Sequence, residues 1–262
     1  MKVALIKLGG SLITDKGGRR SIRRQVLARL AQELATANAR GRRRFLLGHG
    51  SGSFGHVTAA EHGVQDGRGG VDGVSATQAV ARELHEAVLD ALRGAGLAVW
   101  SVAPSSSIVT TSGKPTAVAV ESAERALQAG LVATTYGDVV MDRDQGHAIC
   151  STETALLSFA RRLRSRGAEL NDAYWFGNTD GIYDDTGHTI AKMTAKQARS
   201  AATRVGGSGD TDVTGGMRHR LDTAIAFARL GVRSWVVDGS VAGTLPAVLA
   251  GKHRGGTRIV PD

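Results

Sequence analysis

A lysine, a leucine, two glycines and a serine, Lys7-Leu8-Gly9-Gly10-Ser11, close the first apolar run of the chain. Glycines let backbone N–H groups come close to a bulky anion, and a helix beginning there adds the positive end of its dipole. With a lysine alongside, the stretch is suited to hold a phosphate. His49-Gly50-Ser51-Gly52-Ser53-Phe54-Gly55-His56 repeats the arrangement after its own apolar run and adds two imidazoles. A third glycine-rich stretch, Asp212-Val213-Thr214-Gly215-Gly216-Met217, opens a helical pattern. Two carboxylates stand out beside these. Glu153 falls in the first turn of a helix, where an acid ordinarily serves the dipole, and Asp180 sits in Asn178-Thr179-Asp180-Gly181, ahead of Tyr183. Neither standard nucleotide fingerprint fits. No Gly-Lys-Ser/Thr follows the second stretch, and Gly50, Gly52 and Gly55 lack the acidic partner of a dinucleotide site.

Each stretch needs a strand to deliver it. Short apolar runs predict strands at 3–8, 45–47, 98–102, 131–135, 173–177, 234–237 and 256–260. Between them lie helical stripes. Ser21 reads as an N-cap before Ile22, Val26, Leu27, Leu30 and Leu34, and a second stripe is Val80, Leu84, Val88 and Leu92. Further helices are expected at 122–128, closed by Gly130, after Glu153, and at Leu221, Ala224, Ile225 and Ala228, capped by Gly231. Residues 137–142 and 147–150 read as a hairpin, and 61–72 as a mobile loop. Strands alternating with helices argue for a parallel sheet, whose carboxyl edge is where ligands bind.

A chain of 262 residues buries a sizeable core, and 42% apolar with 22% charged residues excludes disorder and coiled coil. No apolar run reaches membrane-spanning length, and the first is too short for a signal peptide. One cysteine, Cys150, forms no internal disulfide, so a packed thiol in a reducing, cytoplasmic compartment is expected. The net charge of +9 suits an anionic partner, whether phosphorylated small molecule, nucleic acid or acidic membrane. Aromatic residues are 4% of the chain, little for stacking bases, and the arginine clusters fall mostly near helix ends, so no nucleic-acid or membrane partner is expected.

The chain resembles the amino-acid kinase superfamily and, within it, the isopentenyl phosphate kinases. Ordered blocks carry the likeness: 6–11 with Thr14-Asp15-Lys16, 49–56, Tyr136-Gly137-Asp138-Val139, Asp180-Gly181-Ile182-Tyr183, 212–217 and Gly256-Thr257. The resemblance implies an α/β fold, a three-layer αβα sandwich with a mainly parallel open sheet, as one domain over 1–262. Its 1–170 part would be the acceptor-phosphate lobe and 171–262 the nucleotide lobe. It also implies a homodimer that passes the γ-phosphoryl group of ATP, with Mg²⁺, directly to an acceptor phosphate. Such chemistry needs cations and hydrogen-bond donors around two mutually repelling phosphates.

By the same resemblance, Lys7 contacts the transferring group, Lys16 stabilises transition-state charge, and Gly9, Gly10 and Ser11 offer N–H groups to ATP. His56, with Gly50, Ser51 and Thr152, holds the acceptor phosphate. Gly52, Asn178, Asp180, Tyr183, Thr214, Gly215, Gly216 and Arg220 serve the nucleotide. No metal ligand is assigned. The acceptor pocket is expected from 61–88. Fosfomycin kinases carry a similar histidine, so the acceptor is a small phosphate or phosphonate, and Ile13-Thr14-Asp15-Lys16 favours isopentenyl phosphate. A nucleotide-binding regulator without catalysis stays open. Three positions depart from the pattern: Arg220 replaces a lysine, Glu153 an aspartate, and Gly177-Asn178 a Thr-Asp pair. Glu153 is then read as organising Lys7 and Arg220, a longer anion beside a longer, planar cation.

Overall fold

The computed structural model describes 1–15, 18, 20–41, 43–65, 67–205 and 213–262, with backbone alone at 40, 203–205 and 213–220. In chain order the strands are β1 (Lys2–Leu8), β2 (Arg44–His49), β3 (Val99–Ser101), β4 (Ile108–Thr111), β5 (Lys114–Val118), β6 (Val132–Tyr136), β7 (Asp138–Asp142), β8 (Gly146–Cys150), β9 (Glu169–Gly177), β10 (Lys192–Thr194), β11 (Arg233–Asp238) and β12 (Thr257–Val260). The helices are α1 (Gly10–Ile13), α2 (Arg24–Arg40), α3 (Gly52–Glu61), α4 (Val71–Gly94), α5 (Pro104–Ser107), α6 (Glu121–Ala129), α7 (Thr152–Ser165), α8 (Ala195–Val205), α9 (Val213–Ala228) and α10 (Thr244–Leu249).

Eight strands form one sheet in the order β10-β12-β11-β9-β1-β2-β6-β3, parallel throughout except where β11 meets β12. Side chains alternate across it with period two. Val3 and Leu5 join Leu46, Ala173 and Trp175 beneath α6, α7, α8 and α9, while Ala4, Ile6 and Leu8 join Phe45 and Leu47 beneath α2, α4 and α10. Burial on both faces is why these strands read as unbroken apolar runs. The result is the expected αβα sandwich. The two expected lobes share its sheet, since β9 pairs with β1 on one side and β11 on the other. No helix among the described residues is long and apolar enough to cross a membrane.

A second sheet, β5-β4-β7-β8, stands apart, and only its β7–β8 hairpin is legible from sequence pattern. Two boundaries differ from expectation. Ser21 does not cap α2, which begins at Arg24. Thr14 instead forms an antiparallel bridge with Ile22, and the Ser21 hydroxyl donates to Asp15 (3.4 Å), so a tertiary pairing overrides the local capping signal. The expected loop at 61–72 is also shorter, because α3 runs to Glu61 and α4 starts at Val71.

Candidate active site

Strand register brings the chemistry to one edge. Lys7 lies opposite Gly48 and Trp175, Leu8 opposite His49 and Phe176, His49 opposite Tyr136, and Gly177 opposite Asp238. The segments following β1, β2, β6, β9 and β11 therefore emerge together at the carboxyl edge. A cleft of about 500 Å³ opens there between the glycine-rich segments, the wall carrying His56, and β8.

The first two glycine-rich segments interlock backbone to backbone. A Cβ on Gly10 would lie 2.4 Å from the Gly52 nitrogen, and one on Gly50 would lie 2.7 Å from the Gly10 nitrogen. Gly52 has φ +49°, and a Cβ there would come within 2.0 Å of Thr14 Oγ1. Thr14 clasps both segments, its hydroxyl donating to the Gly10 carbonyl (2.9 Å) and accepting from the Ser53 N–H (3.0 Å). One expected donor is engaged within the fold, the Gly9 N–H donating to Phe176 O (2.7 Å), and the Gly50 N–H likewise donates to Leu8 O (2.9 Å). Gly10 and Ser11 lie in the first turn of α1, where N–H groups have no carbonyl one turn earlier in the helix.

Lys7 donates to Glu153 in an ion pair with both side chains largely out of water. Ser151 caps α7, its Oγ accepting the Thr154 N–H (3.1 Å), so Glu153 is not needed as the cap and reaches the lysine across the sheet edge. Thr152 lines the cleft, yet its hydroxyl donates to His49 O (2.7 Å) and its methyl fills the space above Gly48. Through its side chain it braces β2 against α7.

His56 stands on α3 and lines the cleft. Desolvation by the cleft walls lowers its pKa below the ordinary histidine value; Glu153 pulls it upward and Lys7 lowers it further. The imidazole is therefore neutral at pH 7 and offers one N–H donor. From the expected 61–88 wall come Gln65, Thr77 and Ala81, while Ile149 and Cys150 of β8 supply a wall the motifs do not announce. Its signal is positional: the hairpin runs straight into Glu153. The buried Cys150 thiol is pushed up to about 12, by burial first and by Asp138 second.

Towards β9 and β11, the Asn178 amide donates to Ser11 O (3.0 Å), tying this side to α1. Asp180 accepts from the hydroxyls of Tyr183 (2.5 Å) and Thr189 (2.7 Å), bonds that lower its pKa in that order. Lys16 lies outside the described residues, as do the side chains of Thr214 and Arg220; with Gly215 and Gly216, these last belong to the start of α9, where only the backbone is described. Among the described residues, no group of three or more His, Cys, Asp or Glu is arranged to hold a metal ion. A Mg²⁺ carried by nucleotide phosphates needs no such cage, because it keeps phosphate and water oxygens as ligands.

The chain matches the model of the amino acid kinase family over residues 2–238. It is 30% identical to the isopentenyl phosphate kinase of Methanothermobacter thermautotrophicus, over 97% of this chain and 98% of that relative. Against the isopentenyl phosphate kinase of Haloferax volcanii the identity is 35%, over 87% of this chain and 89% of the relative. Among solved structures, an X-ray structure of isopentenyl phosphate kinase superposes with a TM-score of 0.80 at 27% identity, covering 98% of this chain and 100% of the other.

Proposed function

Because the chain belongs to the amino acid kinase family, we propose that it transfers the γ-phosphoryl group of ATP to isopentenyl phosphate, giving isopentenyl diphosphate and ADP. The observation that supports this reading is the Lys7–Glu153 ion pair in one cleft with the glycine segments and His56. An oxygen of the acceptor phosphate attacks the γ-phosphorus as the bond to the ADP oxygen breaks, and ADP leaves with that electron pair. The attacking oxygen is already anionic at neutral pH, so no general base is required. That agrees with a neutral His56 acting as hydrogen-bond donor to the acceptor phosphate.

Lys7 offsets the charge spread over the transferring group, and Glu153 aims it. Ser51 borders the acceptor phosphate, and Val57, Ala59, Ala81 and Ile149 give the cleft an apolar wall for a short hydrocarbon tail. That wall favours an isoprenoid phosphate over a polar phosphonate. Gly10, Ser11, Asn178, Asp180 and Tyr183 face the nucleotide, joined in this reading by Lys16, Thr214, Gly215, Gly216 and Arg220. Mg²⁺ would be held chiefly by the phosphates of ATP and would supply charge neutralisation there. A homodimer working in the cytoplasm belongs to the same proposal, and sedimentation of the purified protein tests the assembly.

The deciding experiment supplies ATP and Mg²⁺ with a panel of phosphates and phosphonates and follows ADP. Isopentenyl or dimethylallyl phosphate is expected to be turned over fastest. Faster turnover of fosfomycin would reassign the acceptor, and ATP binding with no transfer to any acceptor would make the protein a nucleotide-binding regulator.

A further inference from the structure

A chain of hydrogen bonds runs from the exposed Ser101 through two buried histidines to the second glycine segment. Ser101 Oγ lies 2.9 Å from His85 Nε2, His85 Nδ1 lies 3.0 Å from His49 Nε2, and His49 Nδ1 lies 3.2 Å from Gly50 O. His49 is 0% exposed and His85 1%, and Tyr136 stacks on both rings. The proton positions follow from the far end. A carbonyl only accepts, so His49 Nδ1 carries the proton, and in a neutral ring Nε2 is then an acceptor. His85 must donate to it from Nδ1, which leaves His85 Nε2 to accept from the Ser101 hydroxyl. Desolvation is the main cause that lowers His49 to about 4 and His85 to about 2, so both rings are neutral at pH 7 and the chain has one direction.

The Gly50 carbonyl and the Ser51 N–H share one planar trans peptide and point to opposite sides. The Gly50 N–H is itself fixed by Leu8 O. Holding the Gly50 carbonyl toward the histidines thus sets the direction of the Ser51 N–H, and Ser51 lines the cleft. A hydrophobic pair would fill the same volume without burying four ring nitrogens. We propose that His49, aligned by His85 and Ser101, is a positioning residue that turns the Ser51 N–H onto the phosphate of the acceptor. This rests on the kinase reading above.

His85→Phe keeps the stacked ring and removes the donor to His49. Losing one oriented hydrogen bond corresponds to about a tenfold rise in the KM for isopentenyl phosphate, with kcat and the KM for ATP little changed. His85→Asn, which keeps a donor near the Nδ1 position, is expected to recover most of that loss. Nitrogen-15 spectra of the imidazoles should show both rings as the Nδ1–H tautomer. Inorganic phosphate should shift the Ser51 amide resonance in the wild type and fail to do so in His85→Phe. An unchanged acceptor KM in a folded His85→Phe, an Nε2–H tautomer on either ring, or an unmoved Ser51 amide in the wild type overturns the proposal. If isopentenyl phosphate is not turned over at all, the functional reading fails, and the two spectroscopic results still decide this one.

Discussion

The acceptor side of the cleft and the nucleotide side are built by different means. On the acceptor side, buried groups act on backbone: Thr14 clasps Gly10 to Ser53, Thr152 holds His49 O, and His49 reaches Gly50 O. On the nucleotide side, Thr257 and Asn178 also reach backbone, but the contacts around Asp180 and Asp184 run between exposed side chains, as in Asp180 with Tyr183 and Thr189, or Asp184 with Thr186. Leaving a buried hydrogen bond unmade carries the full desolvation penalty, whereas an exposed one is readily replaced by water. The acceptor side is therefore preformed by the fold, and the nucleotide side is free to reorganise around its ligand.

The sharpest way to break that contrast is Lys7→Met. It is expected to lower kcat by about 10²–10³ and, by removing the cation facing a buried Glu153, to cost about 3 kcal/mol of stability. Single-turnover kinetics and urea unfolding read the two effects, and an unaltered urea midpoint would mean that the pair is not part of a preformed wall. Gly52→Ala comes next. Its left-handed backbone and the contact with Thr14 predict a loss of about 1–3 kcal/mol, with a raised KM for ATP, to which Gly52 is assigned, and for the acceptor through α3, which carries His56.

A smaller effect depends on pH. His49 and His85 have folded pKa values of about 4 and about 2, both below the ordinary 6.5 of the unfolded chain. Above 6.5 neither state gains a proton and these residues add no pH dependence. As pH falls below 6.5, the unfolded state takes up protons that the folded state refuses, so stability drops towards pH 4. Melting temperatures measured from pH 7 to 4 should fall, and less steeply in His85→Phe. The smallest effect is expected for Asp180→Asn, whose stability should stay within about 0.5 kcal/mol of the wild type. There the KM for ATP should rise a few-fold while the acceptor KM holds; a change in both would erase the distinction between the two sides.

Legibility in the sequence follows the same division of buried from exposed. β1, β2 and β9 announce themselves because strands buried on both faces must be apolar and because each ends in or runs into a glycine. β4 and β5 do not, being short, half-exposed runs, Ile-Val-Thr-Thr and Lys-Pro-Thr-Ala-Val, whose apolar and polar residues do not alternate. Ser21 misleads since a serine before an apolar stripe is a sound local signal that a bridge from Thr14 outweighs. The Lys7–Glu153 contact spans 146 residues and is visible only through the family pattern. The histidine chain lacks even that support, although His85 does fall on the buried stripe of α4 with Thr77, Ala81 and Leu92. A lone imidazole on an apolar stripe signals burial and leaves its partners unnamed.

The seam between Gly10 and Gly52 also bears on how this sequence can drift. Each glycine occupies the space that the other's side chain would need, and Gly52 adds a backbone conformation that other residues resist. A methyl group on Gly10 presses on main chain, which no shrinking of a neighbouring side chain relieves. Two segments 42 positions apart in sequence thus behave as a single inherited unit, whereas the exposed turn around Asp180 is open to piecemeal change.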